Sequence, residues 1–253
     1  SGRRLGPADI ALAAAMNVPT LPVWRRPVIA FFSTGDELVP PGAQLGPDQI
    51  VSSNNAALDA MIRAAGGEPL DLGIAPDDAD RIRETARGAR GAEMLITVGG
   101  ASVGDHDLVQ PALADDGLDI AFWRIAMRPG KPLMFGSYAG KPMLGLPGNP
   151  VSAFVCAQVF LRPAIAKLTG APHADLSSRA PLAVPLKEND QRRDYLRGRW
   201  VEARHSGDMC VEAFETQDSS LLSVLAHADL LIVREPHAPA AEAGDVVTII
   251  PLK

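Results

Sequence analysis

With 253 residues, 47% of them hydrophobic, the chain has room for one large domain or two modest ones, each with a real core. A net charge of -6 and a pI near 5.4 exclude a basic nucleic-acid footprint, and no run approaches the roughly 18 apolar residues of a membrane span. The two cysteines, Cys156 and Cys210, lie far apart and read as buried free thiols in a reducing cytoplasm.

The opening stretch, SGRRLGPADIALAAAMNVPTLPVWRRP, shows no initiator Met and no signal-peptide pattern. It predicts a helix over 8–16 and then a Pro-rich connector. So short a helix is not stable alone, so residues 1–26 are expected to be the remnant helix and linker of an upstream domain. From Arg26 strand and helix alternate. PVIAFFS is an apolar strand, and SSNNAALDAMIRAAGG a helix with a Ser/Asn cap and a Gly66-Gly67 stop. EPLDLGIA is the next strand. DDADRIRETARGAR is a helix with acids in its first turn and arginines in its last, as the helix dipole favours. MLITV is a strand and DLVQPALADDG a helix. IAFWRIAM and KPLMFGSY are strands, the second pairing with KPMLGLP. NPVSAFVCAQVFLRPAIAKLTG is a long helix with Asn149 as N-cap, Pro150 at its first position, a kink at Pro163 and a stop at Gly170.

Near-continuous apolar strands alternating with helices predict an α/β domain, a doubly wound, mostly parallel sheet, over 27–172. Short β-rich segments follow, among them RDYLRGRWVEARH, ADLLIVREP and DVVTIIPL, with SSLLSVLAHA as one helix. They predict a small β domain over 174–253.

Ligands of open parallel sheets bind outside the carboxyl ends of the strands. Four such ends are followed by STGDELVPPG, APDDAD, GGASVGDHD and LPGNPVS. Glycines there let backbone N–H groups approach an anion, and helix starts add a favourable dipole. Glu37, Asp77 and Asp107 sit on three different loops. Acids facing an anionic substrate make sense with a hard cation such as Mg²⁺ between them. Asp77 or Asp78 serves equally well to cap the following helix, and Asp105 or Asp107 the next one, whereas Glu37 has no obvious capping role. In WRIAMRPGKP, Arg124 and Arg128 share a face if the strand is uninterrupted, and Lys131 lies close by. Arginine there suits a phosphate or a dicarbonyl edge, or simply a solvated edge.

Gly100-Ala101-Ser102-Val103-Gly104 also matches the G-x-S-x-G elbow of serine hydrolases. A triad would need an acid and then a histidine further on in the same sheet. His173, His205, His227 and His237 all follow the α/β segment, and His106 is too early. The preferred reading is an anion cradle over 99–104.

STGDEL, LGIAPDD, TVGGASVGDHD, FWRIAMRPGKP and GLPGNPVSAF occur in this order. Together with DYLRG and EAGDVVTIIPL they resemble the MoeA-type molybdopterin molybdenumtransferases, the family of the gephyrin E domain. The resemblance covers nearly the whole chain. It implies a MogA-like molybdopterin-binding domain followed by a β-barrel. It also implies a transferase reaction in which adenylylated molybdopterin and molybdate give molybdenum cofactor and AMP with Mg²⁺ assisting. By motif, Glu37, Asp77 and Asp107 take the catalytic acid positions, and Glu37 and Asp107 the metal. Thr34, Gly35, Gly99, Gly100, Ser102 and Gly104 would hold phosphate. Arg124, Arg128 and Lys131 would meet the pterin phosphate or molybdate, and Pro147, Gly148, Asn149 and Ser152 would shape the pterin loop. A homodimer of the full-length protein and handover from a molybdopterin adenylyltransferase are the implied partnerships, with no nucleic acid and no membrane.

Three departures stand out. Arg124 and Arg128 occupy positions where relatives often carry lysine. Asp218 of QDSSLLSVL stands where the family has glycine, which questions a contact from the last domain. The family's first domain and most of its second have no counterpart here, so low activity is expected. The competing functions are a molybdopterin adenylyltransferase, a non-catalytic pterin-binding scaffold and a serine esterase.

Overall fold

A computed structural model describes residues 3–100, 108–171, 177–203 and 207–252. Helix α1 (Pro7–Ala15) buries none of its residues. The apolar run after it becomes β1 (Val28–Thr34), buried from Ile29 onward. Its alternate residues serve two cores. Ile29 and Phe31 join one, Ala30 and Phe32 the other, because successive strand side chains point to opposite faces. Two short strands, β2 (Leu38–Val39) and β3 (Ile50–Val51), pair with each other. Next come α2 (Asn54–Ala64), β4 (Glu68–Ala75), α3 (Ala79–Arg87), β5 (Met94–Val98) and α4 (Val109–Ala114). Strands β6 (Leu118–Trp123), β7 (Met127–Arg128), β8 (Met134–Tyr138) and β9 (Lys141–Leu146) complete this half.

The main sheet has the order β4-β1-β5-β9-β8-β6, and only β8 runs against the others. Leu58 and Ile62 of α2 pack on one face, Ile82 of α3 and Leu113 of α4 on the other. The chain goes from β1 to β4 on one side and then returns to β5 on the other. The switch point therefore lies between the carboxyl ends of β1 and β5.

Several local expectations need correction. Ser53 occupies the cap position of α2 but makes no side-chain cap bond. The strand drawn through Arg124 and Arg128 is interrupted. Arg124 adopts a left-handed φ of 69°, β6 ends at Trp123, and the backbone turns back through Arg124 N–H to Leu133 O at 2.9 Å. β7 then leaves the sheet and pairs elsewhere, so the two arginines do not share a strand face. The long helix runs as α5 (Pro150–Cys156), a π turn (Ala157–Leu161) and α6 (Arg162–Leu168). Pro163 has no N–H to offer the carbonyl of Val159, and the widened turn lies just ahead of it. The span Pro150–Leu168 is, among the described residues, the one helix long and apolar enough to cross a membrane. Half of its apolar window is buried in the protein, and Arg162 and Lys167 interrupt it, so a packed core accounts for its composition.

The second half comprises β10 (Ser178–Pro181), β11 (Arg193–Glu202), β12 (Met209–Ala213), α7 (Leu222–Ala226), β13 (Leu230–Arg234) and β14 (Val246–Pro251). Its strands are ordered β10-β14-β13-β11-β12. A bridge between Leu182 and Val211, with Ala183 N–H to Val211 O at 2.9 Å, joins the two outer strands and closes the sheet into a barrel. Ala180, Leu182, Val211, Ile232 and Ile249 fill it. The mostly parallel α/β sheet followed by a small barrel is the predicted fold class. The strand β7 pairs with β11, Met127 opposite Arg193 and Arg128 opposite Asp194. Both cysteines are free and buried, and burial pushes the Cys156 thiol up to about 12.

Candidate functional site

The glycines of the loops at the carboxyl edge explain how closely those loops approach. Gly99 has φ 87°, and a Cβ there would lie 2.8 Å from Thr34 O and 3.0 Å from Thr34 Oγ1. Only glycine tolerates both the conformation and the contact. Gly100 has φ 61°, with Thr34 Oγ1 3.3 Å and Val109 Cγ2 2.4 Å from its would-be Cβ. On the other side, a Cβ on Gly148 would lie 3.7 Å from Gly99 Cα. The Glu37 carboxylate folds back over Gly35, within 2.6 Å of where a Cβ would stand.

Hydrogen bonds lace the loops together. Gly35 N–H donates to Ala75 O (3.3 Å), and Asp77 N–H to Asp36 Oδ1 (3.0 Å). Gly99 N–H donates to Leu146 O (3.1 Å), and Asn54 Nδ2 to Gly148 O (2.8 Å). The structure thus brings Thr34, Gly35, Glu37, Asp77, Gly99, Gly100, Gly148 and Asn149 to one edge, at the switch point. Ser102, Gly104 and Asp107 lie outside the described residues. Pro147 is buried beneath the edge, and Ser152 is buried in the first turn of α5. Asp78 caps α3 by accepting from Arg81 N–H at 2.9 Å; Asp77 is not the cap.

The turn after β6 lies at the same edge, because Trp123 is in register with Met134 and Met134 with Gly145. Arg124 is exposed, its guanidinium 4.2 Å over the Trp123 ring, and Lys131 is exposed on the same turn. Arg128 is placed differently. Its guanidinium bonds to the Asp194 carboxylate, with Nε to Oδ2 at 3.0 Å, and reaches Asp190 at 3.3 Å. It is a tie to the barrel. Arg192 in turn holds the Asp190 carboxyl down to about 2.

Two groups escaped sequence reasoning. The first is Asn54 and Asn55. Asn55 Oδ1 accepts from Ser33 Oγ (2.5 Å), and its Nδ2 donates to Asp71 Oδ1 (2.8 Å) and Gly73 O (3.1 Å). It fastens the end of β1 to β4, and the signal was a run of four polar residues, more than one cap needs. The second is Ser219, next to the Asp218 that put a contact from the last domain in question. Asn149 Nδ2 donates to Ser219 Oγ and Val151 N–H to Ser219 O, both at 3.2 Å. Asp218 is not among the described residues with positive φ, so it replaces glycine there without backbone strain. Among the described residues no three His, Cys, Asp or Glu side chains are grouped to hold a metal ion.

Chemically, the edge offers close-set backbone, a carboxylate and two exposed cations, a combination suited to a small anionic ligand. Residues 30–167 match the family described as "Probable molybdopterin binding domain", and 179–252 the family "MoeA C-terminal region (domain IV)". A molybdopterin molybdenumtransferase of a Nostoc species is 43% identical over 192 residues, covering 74% of this chain and 43% of the relative. The Haemophilus influenzae molybdopterin molybdenumtransferase is 34% identical over 257 residues, covering 99% of this chain and 62% of the relative. The solved molybdopterin biosynthesis MoeA protein of Pyrococcus horikoshii is 28% identical with a TM-score of 0.84, covering 100% of this chain and 61% of that one. The chain thus spans roughly half of the length of these relatives.

Proposed function

The chain belongs to the molybdopterin-binding domain family, and on that premise we propose that it forms the substrate-binding and C-terminal parts of a molybdopterin molybdenumtransferase. The reaction inserts molybdate into adenylylated molybdopterin and yields molybdenum cofactor and AMP. The observation that carries this reading is the contact of Gly99 with Thr34 beside Gly148 at the switch point. It sets close-packed backbone at one edge, flanked by Glu37 on one side and Arg124 and Lys131 on the other.

In this reading Thr34, Gly35, Gly99, Gly100, Ser102 and Gly104 bind phosphate. Pro147, Gly148 and Asn149 shape the pterin loop, with Ser152 supporting it from within α5. Arg124 and Lys131 neutralise the pterin phosphate or molybdate, and Arg128 holds the turn that presents them. Glu37, Asp77 and Asp107 are the catalytic acids. Mg²⁺ belongs to the same proposal, with Glu37 and Asp107 as its holders. It would supply charge neutralisation between carboxylate and phosphate. The described residues alone do not group three metal-ligating side chains. Domains over 27–172 and 174–253, with 1–26 leading into them, a homodimer, handover from an adenylyltransferase and a cytoplasmic location complete the proposal. The C-terminal barrel favours this activity over the adenylyltransferase alternative.

The test is calorimetric titration with adenylylated molybdopterin and Mg²⁺, then molybdate, with AMP quantified at the end. Binding followed by AMP release is the expected result for the complete protein. Consumption of ATP without AMP release on molybdate addition would overturn it.

A further inference from the structure

Arg197 lies in the middle of β11 and is 1% exposed. No carboxylate pairs with it among the described residues. Its guanidinium is instead encircled by one loop. Nη1 donates to Asp218 O (2.9 Å) and Leu221 O (3.4 Å), Nη2 to Thr216 O (3.5 Å), and Nε to Gln217 Oε1 (3.2 Å). Gln217 clamps the base of the same loop. Its Oε1 accepts from Arg197 N–H (3.0 Å), and its Nε2 donates to Arg197 O (3.0 Å) and Phe214 O (2.8 Å). The Asp218 carboxylate is occupied by Ser220, whose N–H and Oγ both donate to it at 2.8 Å.

A buried cation hydrogen-bonded only to neutral carbonyls, with the Asp218 carboxylate acting on it from beyond ion-pair distance, is a poor stability device, since an apolar side chain of similar volume often serves as well. What it fixes is the course of the loop, because its donors are satisfied only while 216–221 stays wrapped around it. The outer side of that loop meets the candidate site. The first N–H groups of a helix lack intrahelical acceptors. Asn149, at the cap position of α5, makes no cap bond, and Pro150 has no N–H. Ser219 O takes the Val151 N–H, and Ser219 Oγ takes the Asn149 amide. From the opposite side Asn54 holds Gly148 O. The 147–149 loop is therefore gripped between α2 and a barrel loop whose shape depends on Arg197.

We propose that Arg197 is a positioning residue: through the 216–221 loop and Ser219 it sets the 147–149 loop in its ligand-binding conformation. This rests on the function proposed above. The test uses Arg197→Lys and Gln217→Ala in the full chain, with hydrogen exchange, thermal unfolding and molybdopterin titration. Peptides covering 148–156 should exchange about tenfold faster in both variants, while β1 and β5 keep their protection. Affinity for molybdopterin should fall about tenfold in each, and Ser219→Ala added to Gln217→Ala should cost nothing further, as expected of groups acting through one contact. Where Arg197→Lys fails to fold, Gln217→Ala, which keeps the buried charge, carries the same test. Unchanged exchange over 148–156 with a lowered melting temperature would overturn the proposal, as would unchanged affinity or fully multiplicative losses. If the unaltered chain binds no molybdopterin, the proposed function fails, and the exchange arm still decides whether Arg197 governs the loop.

Discussion

The two halves hold their irregular segments with different chemistry. At the loop edge of the α/β sheet the buried polar residues are neutral: Ser33, Thr34, Ser52, Asn55, Thr97 and Ser152. In the barrel they are charged: Asp194, Arg197 and Arg234. Amides, hydroxyls and glycines let one backbone touch another and leave the rim open to solvent. Guanidinium groups fill the inside of a loop with donors and close it. On the proposed function, the first half receives a ligand at an edge, and the second keeps long connections in one shape.

Breaking the barrel side of this contrast should have the largest effect. Arg234 is 7% exposed, and its Nη2 donates to Pro239 O and, at 3.2 Å, to Lys187 O. Arg234→Met strands both carbonyls and should cost about 3 kcal/mol in urea unfolding. Gly99→Ala comes next. It forces a left-handed alanine against Thr34 O and should cost about 2 kcal/mol while abolishing molybdopterin binding in the same titration. Asn55→Ala should cost about 1–2 kcal/mol, because Ser33 and Gly73 lose their partner, and it should weaken ligand binding less than Gly99→Ala does. If Asn55→Ala proved costlier than Arg234→Met, the division between open and closed segments would fail.

The smallest effect concerns the opposite edge of the sheet. There the Arg87 guanidinium, followed by the Tyr138 hydroxyl, holds the Asp116 carboxyl down to about 2. A carboxyl lowered in the folded state contributes stability above its ordinary value near 3.8, and that contribution disappears as pH falls toward 2. Urea midpoints measured between pH 5 and 2 should therefore drop, and Asp116→Asn should flatten that drop without altering ligand binding.

The same contrast explains what could be read in the sequence. Strands β1 and β5 are continuous apolar runs and stand out, as does the glycine pattern of the edge. The two-residue strands β2, β3 and β7 carry no periodicity. The turn at Arg124 is hidden because a left-handed arginine has no local signature. The carboxylate that Arg128 pairs with, Asp194, lies 66 residues away and is not legible from its neighbours. Arg197 looks like any polar strand residue, because the loop it fills is 20 residues further on. Asn54 and Gly148 are 94 residues apart, and only the assembled sheet shows that they meet. Local chemistry was legible; partners supplied by distant segments were not.

The short strand β7 belongs to a turn of the α/β sheet and to the ladder of the barrel. Beside it, Leu144, Val155 and Cys156 share one apolar core with Tyr195, Leu231 and Val233. Receiving and holding are thus divided between two architectures that each keep a core of their own and share a third between them. Heat or urea should take both apart in a single cooperative transition. A piece comprising 177–252 alone would keep its ladder but bare the apolar side of Leu231 and Val233, and it should associate or stay partly unfolded.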